Sequence, residues 1–172
     1  MVDADAIYRE LGKYVVCFQW LETKVVEIAD FLLDPERTGR ARTVLTGMAF
    51  RQLTTSADVL FAQYIANAAV ENADDRKQAF HKLMVRCVQI SERRNCLAHS
   101  AYLHLEAGDQ LLGIIRSKGA LKTGGRDGPR HAFDQEYLSP ETFEEPLREI
   151  GEVGLAIGHI YLQLIHWHLG GR

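Results

Sequence analysis

Along the first thirty residues, apolar side chains recur at alternating spacings of three and four. Leu11, Tyr14, Phe18, Leu21, Val25, Ile28 and Leu32 fall on one line. That period draws a single apolar stripe on a helix from about Ala4 to Leu33. Asp34-Pro35 ends it, because proline disfavours helical geometry in the residue before it. A polar link through Gly39 follows. A second helix is expected over Ala41 to Ala69, with Val44, Met48, Leu53, Ala57, Leu60, Phe61 and Tyr64 on its buried side. Asn72-Ala73-Asp74-Asp75 supplies a turn with capping residues. A third helix starts near Arg76 and carries Phe80, Leu83, Cys87 and Ile90 as its stripe. Continuing that spacing reaches Arg94 and then Leu97, so a cation stands where the pattern asks for a core residue.

After His99 the period changes. Tyr102-Leu103-His104-Leu105 and Leu111-Leu112-Gly113-Ile114-Ile115 flank Glu106-Ala107-Gly108-Asp109-Gln110. Such runs around a Gly-Asp turn predict a β-hairpin. Arg116 to His131 reads as a loop, with Gly119, Gly124, Gly125, Gly128 and Pro129, and a short third strand is expected near Ala132-Phe133. A last helix begins between Ser139 and Pro146 and runs to about Leu169. Gly151, Gly154 and Gly158 lower its propensity by roughly 1 kcal/mol each, which suggests close approach to another helix.

The expectation is a mainly α chain: an antiparallel helical bundle with a small β-hairpin inserted before the last helix. At 172 residues it suits one domain over 1–172, with the insertion at about 100–135. The net charge of −3 argues against broad, non-specific adhesion to DNA. Cys17, Cys87 and Cys96 form no CxxC pair, as expected of reduced thiols in a cytoplasmic protein. The acidic start and the lack of a run of ~20 apolar residues predict neither leader nor membrane span.

Polar chemistry concentrates in Ser91-Glu92-Arg93-Arg94-Asn95-Cys96-Leu97-Ala98-His99-Ser100. From the residues alone two readings stand. Arg94 lines a cleft or faces another subunit, because a lone buried charge is costly. Equally, Arg94 pairs with a carboxylate such as Glu22 or Glu27, and His99 caps the helix end, where the backbone dipole favours a cation. The segment from Arg116 to His131 sets five cations against Asp127 alone. Lys118, Lys122, Arg126 and Arg130 there are candidate phosphate contacts, with a solvated hairpin tip as the plainer alternative. Lys122-Thr123-Gly124-Gly125 lacks the spacing of a P-loop. His159, His166 and His168 have no ligand-spaced carboxylate or cysteine, so no metal is expected. Nothing near Cys96 and His99 completes a hydrolase triad.

Arg94-Asn95-Cys96-Leu97-Ala98-His99 resembles the signature of HEPN domains: an arginine, often with a polar residue directly after it, four to six intervening residues and then a histidine. Glu92-Arg93 before it and Ser100 after it fit the same pattern, as do two long helices before the motif helix and one after it. The resemblance covers most of the chain except the hairpin and basic segment. It implies a homodimer with both motifs facing a shared cleft. For many members it implies metal-independent endoribonuclease activity without a cofactor, in which the ribose 2′-hydroxyl attacks the neighbouring phosphate. Other members are non-catalytic modules that bind a partner protein or nucleic acid. A defence or toxin–antitoxin setting, with a cognate antitoxin as partner, goes with the family. On this reading Arg94 holds the phosphate, His99 exchanges the proton, Asn95 orients the imidazole or touches phosphate, and Arg93 adds to substrate binding. Geometry sets one condition. Five residues at roughly 100° each put Arg94 and His99 about 140° apart on a regular helix. Either the helix loosens before His99, or the site combines residues of two chains.

Overall fold

The computed structural model describes residues 3–68, 70–108, 110–122 and 130–170, with backbone alone at 120–122 and 130–133. Five helices and three strands follow in order: α1 (Ala4–Leu33), α2 (Arg40–Leu45), α3 (Phe50–Asn67), α4 (Ala73–Ala98), β1 (Ala101–Ala107), β2 (Gln110–Lys122), β3 (Arg130–Leu138) and α5 (Glu144–Gly170). The chain is mainly helical, with a small antiparallel sheet inserted before the last helix. It divides into two compact units: Met1–Val15 with Glu92–Leu147, and Val16–Ser91 with Arg148–Arg172.

The larger unit is helical. Its part of the α1 stripe is buried at Phe18, Leu21, Val25 and Ile28, and Ala29 and Phe31 join it. Side-chain pairs give the helix directions. Phe61 stacks on Phe80 at 4.2 Å, and Asp58 accepts a hydrogen bond from His81 at 2.6 Å, so α3 and α4 run antiparallel. Arg86 reaches Glu149 and Glu152, while Arg76 lies over Trp167, so α4 and α5 also run antiparallel. Trp20 lies on Gly154 and Phe31 on Tyr161, which makes α1 parallel to α5. The parallel pair is possible because the segment from Arg37 to Met48 returns along α1. Arg37 and Gly39 line a cleft with Phe31, whereas Leu45 and Met48 line one with Gln19 and Glu22.

The expected second helix over 41–69 is therefore two. The first ends at Leu45, with Thr46 still helical in backbone as its cap, and Ala49 is extended at φ −64°, ψ 144° before α3 starts. Gln52 Oε1 accepts the Ala49 N–H at 3.3 Å, half of a capping box. Gly47 in the gap, with its low helix propensity, was the available sign of a break. On α4 the buried positions are Phe80, Met84, Cys87, Ile90, Ser91 and Leu97, with Leu83 only half-buried.

The second unit holds the sheet, ordered β1-β2-β3. Gly108 turns β1 into β2 with φ +60°, a conformation that favours glycine. The expected 116–131 loop is largely strand: β2 continues to Lys122 and β3 begins at Arg130. Residues 123–129 lie outside the described residues. Alternation explains the longer strands. Ile114, Arg116 and Leu138 point to one face and are buried, while Leu103 and Tyr137 point to the other and are exposed. Tyr137 lies across Gly113, filling the space a side chain would take there. Ile7, Tyr14, Leu97 and Phe143 are buried in this unit too, Tyr14 and Phe143 with ring centroids 6.5 Å apart.

Candidate functional site

The last two turns of α4 and the buried face of the sheet meet within the smaller unit. Arg93, Cys96, Leu97 and Ser100 share one side of the helix by their spacing of three and four. Strand register puts Tyr102, Arg116 and Glu136 side by side across the three strands. Arg116, on the central strand, is only 2% exposed. Its Nε donates to Glu136 at 2.9 Å and one Nη to Asp134 at 2.8 Å. The other Nη lies 2.9 Å from Cys96 Sγ and 3.2 Å from Ser100 Oγ. Arg93 grips the same Glu136 with two hydrogen bonds of 2.6 Å. Two guanidinium groups thus face two carboxylates, and the bidentate geometry is the strong kind.

The charges in this network stabilise one another. The Arg93 hydrogen bond holds the Glu136 carboxyl below its ordinary range despite partial burial, and Arg116 adds to the effect. Arg116 likewise holds Asp134 low. Burial opposes charge on Arg116, but Asp134 and Glu136 outweigh it and keep that group above its ordinary value. The same side of α4 supplies its own terminus. Ser100 Oγ donates to the Cys96 carbonyl at 2.5 Å and Tyr102 OH to the Leu97 carbonyl at 2.7 Å, satisfying acceptors a helix end leaves open.

The opposite side of this helix end carries the motif. Asn95 and His99 are exposed one turn apart, and Arg94 is half-buried. The helix does not loosen: it is regular to Ala98, and the His99 N–H donates to the Asn95 carbonyl at 3.1 Å. Of the two geometric options, the regular helix removes the first. One chain brings Asn95 beside His99 but leaves Arg94 turned about 140° from His99. Glu27, one of the carboxylates considered for Arg94, pairs with Lys24 at 2.8 Å.

The remaining candidates spread out. Arg93 is engaged with Glu136. Lys118 is half-buried in β2, with Asp134 as its register partner. Lys122 and Arg130 are register partners at the far end of β2 and β3; their side chains, and all of Arg126, lie outside the described residues. The basic segment was also misjudged at its start, since Arg116 is the most buried cation of the network. Its signal was present. Asp134 and Glu136 lie two apart on one strand face, and Arg116 follows Ile114 by two, also on one face. Among the described residues no three His, Cys, Asp or Glu side chains gather as a metal site, and no helix is long and apolar enough to cross a membrane. No protein-family model, curated protein or solved structure matches this chain.

Proposed function

We propose that this chain is a metal-independent endoribonuclease of the HEPN type, working as a homodimer whose cleft joins two motif helices. The observation that carries the reading is the outer face of α4, where Asn95 and His99 are exposed together beside a half-buried Arg94. His99 relays the proton between the ribose 2′-hydroxyl, the phosphate and the 5′-oxygen. Arg94 opposes the charge that grows on the phosphate. Because the helix stays regular, Arg94 of one chain works with His99 of the other. The setting fits a cytoplasmic defence or toxin–antitoxin protein, with an antitoxin as natural partner.

Labelled RNA in EDTA tests this directly. Cleavage should persist without metal, and His99→Ala or Arg94→Ala should each lower it by on the order of 10²–10⁴-fold. The two-chain site has a sharper test. A mixed dimer of one Arg94→Ala chain and one His99→Ala chain retains one intact composite site and should recover activity. Two separate single-chain sites would both stay dead. Cleavage by either variant at the wild-type rate would refute the mechanism.

A second reading has its own support: a non-catalytic HEPN module that binds a protein or nucleic acid. The Arg93–Glu136 pair neutralises the cation next to the motif, which leaves less positive charge for RNA. Wild-type protein that binds RNA or a partner yet leaves labelled RNA whole would select this reading.

A further inference from the structure

A cleft of about 450 Å³ opens in the helical unit, lined by Glu27, Asp30, Phe31, Arg37, Arg42 and Tyr161. That size falls within the roughly 300–1,000 Å³ of small-molecule sites. Its chemistry is unbalanced in two ways. Asp30 Oδ1 is buried and accepts no hydrogen bond among the described residues. A buried acceptor without a donor is expensive, and such atoms call for an explanation. In addition, Arg37 and Arg42 have no carboxylate at ion-pair distance among the described residues. Arg37 donates to the Tyr161 hydroxyl and stands 5.9 Å from the centroid of that ring. The other carboxylate at the rim, Glu27, is already answered by Lys24 at 2.8 Å.

The arm that presents the arginines is shaped for the purpose. Arg37 has φ +53° and Gly39 φ +84°. Asp34 Oδ2 fastens the turn by accepting from Thr38 Oγ1 at 2.8 Å and from the Gly39 N–H at 2.9 Å. A non-glycine residue in the left-handed region is uncommon and marks a turn held by its surroundings.

We infer that this cleft binds a nucleoside monophosphate. Two guanidinium groups without a carboxylate partner among the described residues match a phosphate monoester, which carries about −1.5 to −2 charge at neutral pH; a carboxylate would leave one unanswered. Guanidinium forks are also suited to phosphate oxygens. The Asp30 carboxylate in the cleft wall accepts a ring N–H or amino group of the base. Tyr161 gives the base an aromatic wall, held edge-on by Phe31 at 5.8 Å. This site goes beyond the proposed nuclease and does not depend on it.

Calorimetric titration of the full chain with AMP, GMP, CMP and UMP tests the inference, with adenosine and inorganic phosphate as half-ligands. At least one monophosphate should bind saturably, and each half-ligand should bind at least about tenfold more weakly. Arg42 is exposed, so Arg42→Ala should fold normally and weaken the monophosphate about tenfold or more by removing a charged hydrogen-bond donor. Asp30→Ala should weaken the monophosphate and leave phosphate binding unchanged. Three results would overturn the site: no saturable binding by any monophosphate, equal binding of phosphate alone, or unchanged binding in folded Arg42→Ala.

Discussion

The two units hold themselves together by different physics. In the helical unit the core is apolar and includes the stacked pair Phe61 and Phe80. In the sheet unit the place where α4 meets the strands is filled by Arg93, Arg116, Asp134 and Glu136. Apolar packing is non-directional, so it fixes that helices touch more firmly than how they are rotated. Hydrogen-bonded charges act only at defined angles. The network sets the rotation of the last α4 turns, turning Arg93 and Cys96 to the sheet and Asn95 and His99 to solvent. The motif thus owes its exposure to a cluster on the other side of its helix.

The largest expected effect separates the two kinds of core. Phe80→Ala should cost ~3–5 kcal/mol by opening a cavity. Arg116→Ala leaves Asp134, which is half exposed, without its guanidinium and Glu136 with Arg93 alone, a loss of charged hydrogen bonds that should cost about 1.5–3 kcal/mol. Urea unfolding at several pH values distinguishes them. The Phe80→Ala loss should be the same at pH 7 and pH 4. The Arg116→Ala loss should shrink at pH 4, where its carboxylate partners begin to take up protons. A loss for Arg116→Ala that does not change with pH would mean that packing, not charge, dominates that site.

A smaller effect follows from Glu136 itself. Its folded-state pKa lies below the ordinary 4.5, because Arg93 and then Arg116 favour the charged form. A depressed carboxylate contributes fully above its unfolded pKa, and that contribution drains away as pH falls through the folded value. Wild-type protein should therefore be level in stability from pH 8 to about pH 6, then lose stability on the acid side. Glu136→Gln should start less stable at pH 7 and show a shallower acid decline. Parallel acid curves for the two proteins, followed by circular dichroism, would contradict the network's role.

The same contrast explains how much the sequence disclosed. Apolar periodicity placed α1 from Ala4 to Leu33 and put Tyr14, Phe18, Leu21, Val25 and Ile28 in the core, as found. It placed the motif at the end of the third helix and strands after it. It missed the α2–α3 break, because Val44, Met48 and Leu53 read as one stripe across a short irregular link, whereas Val44 is exposed and Leu45 is the residue buried. It also missed Arg116. Charge counting treats every arginine in a glycine-rich stretch as solvated, and only strand register brings Glu136, twenty residues away, to its side. Periodicity reports on apolar burial. It marks polar groups buried in pairs only where the stretch is already read as strand, as at Ile114 and Arg116 or Asp134 and Glu136.

The smallest effect tests the apolar unit's own precision. Three glycines in α5 suggested a close helix contact, yet only one needs to be glycine. Trp20 occupies the space a Gly154 side chain would fill, whereas nothing lies within 4 Å of that position at Gly151 or Gly158. Gly158→Ala should therefore stabilise the protein by about 0.5–1 kcal/mol, through helix propensity and a less free unfolded chain. Gly154→Ala gains the same propensity but must displace the indole, and overpacking of this kind costs about 1–3 kcal/mol. It should come out neutral to destabilising, measured by thermal or urea unfolding. Trp20 is 40% exposed, so part of the clash is relieved by the ring swinging outward. Adding Trp20→Ala to Gly154→Ala should remove the penalty, giving a coupling in the double-mutant cycle that Gly158→Ala does not show. Equal gains from both alanines, with no coupling to Trp20, would mean that the indole does not hold its place on α5.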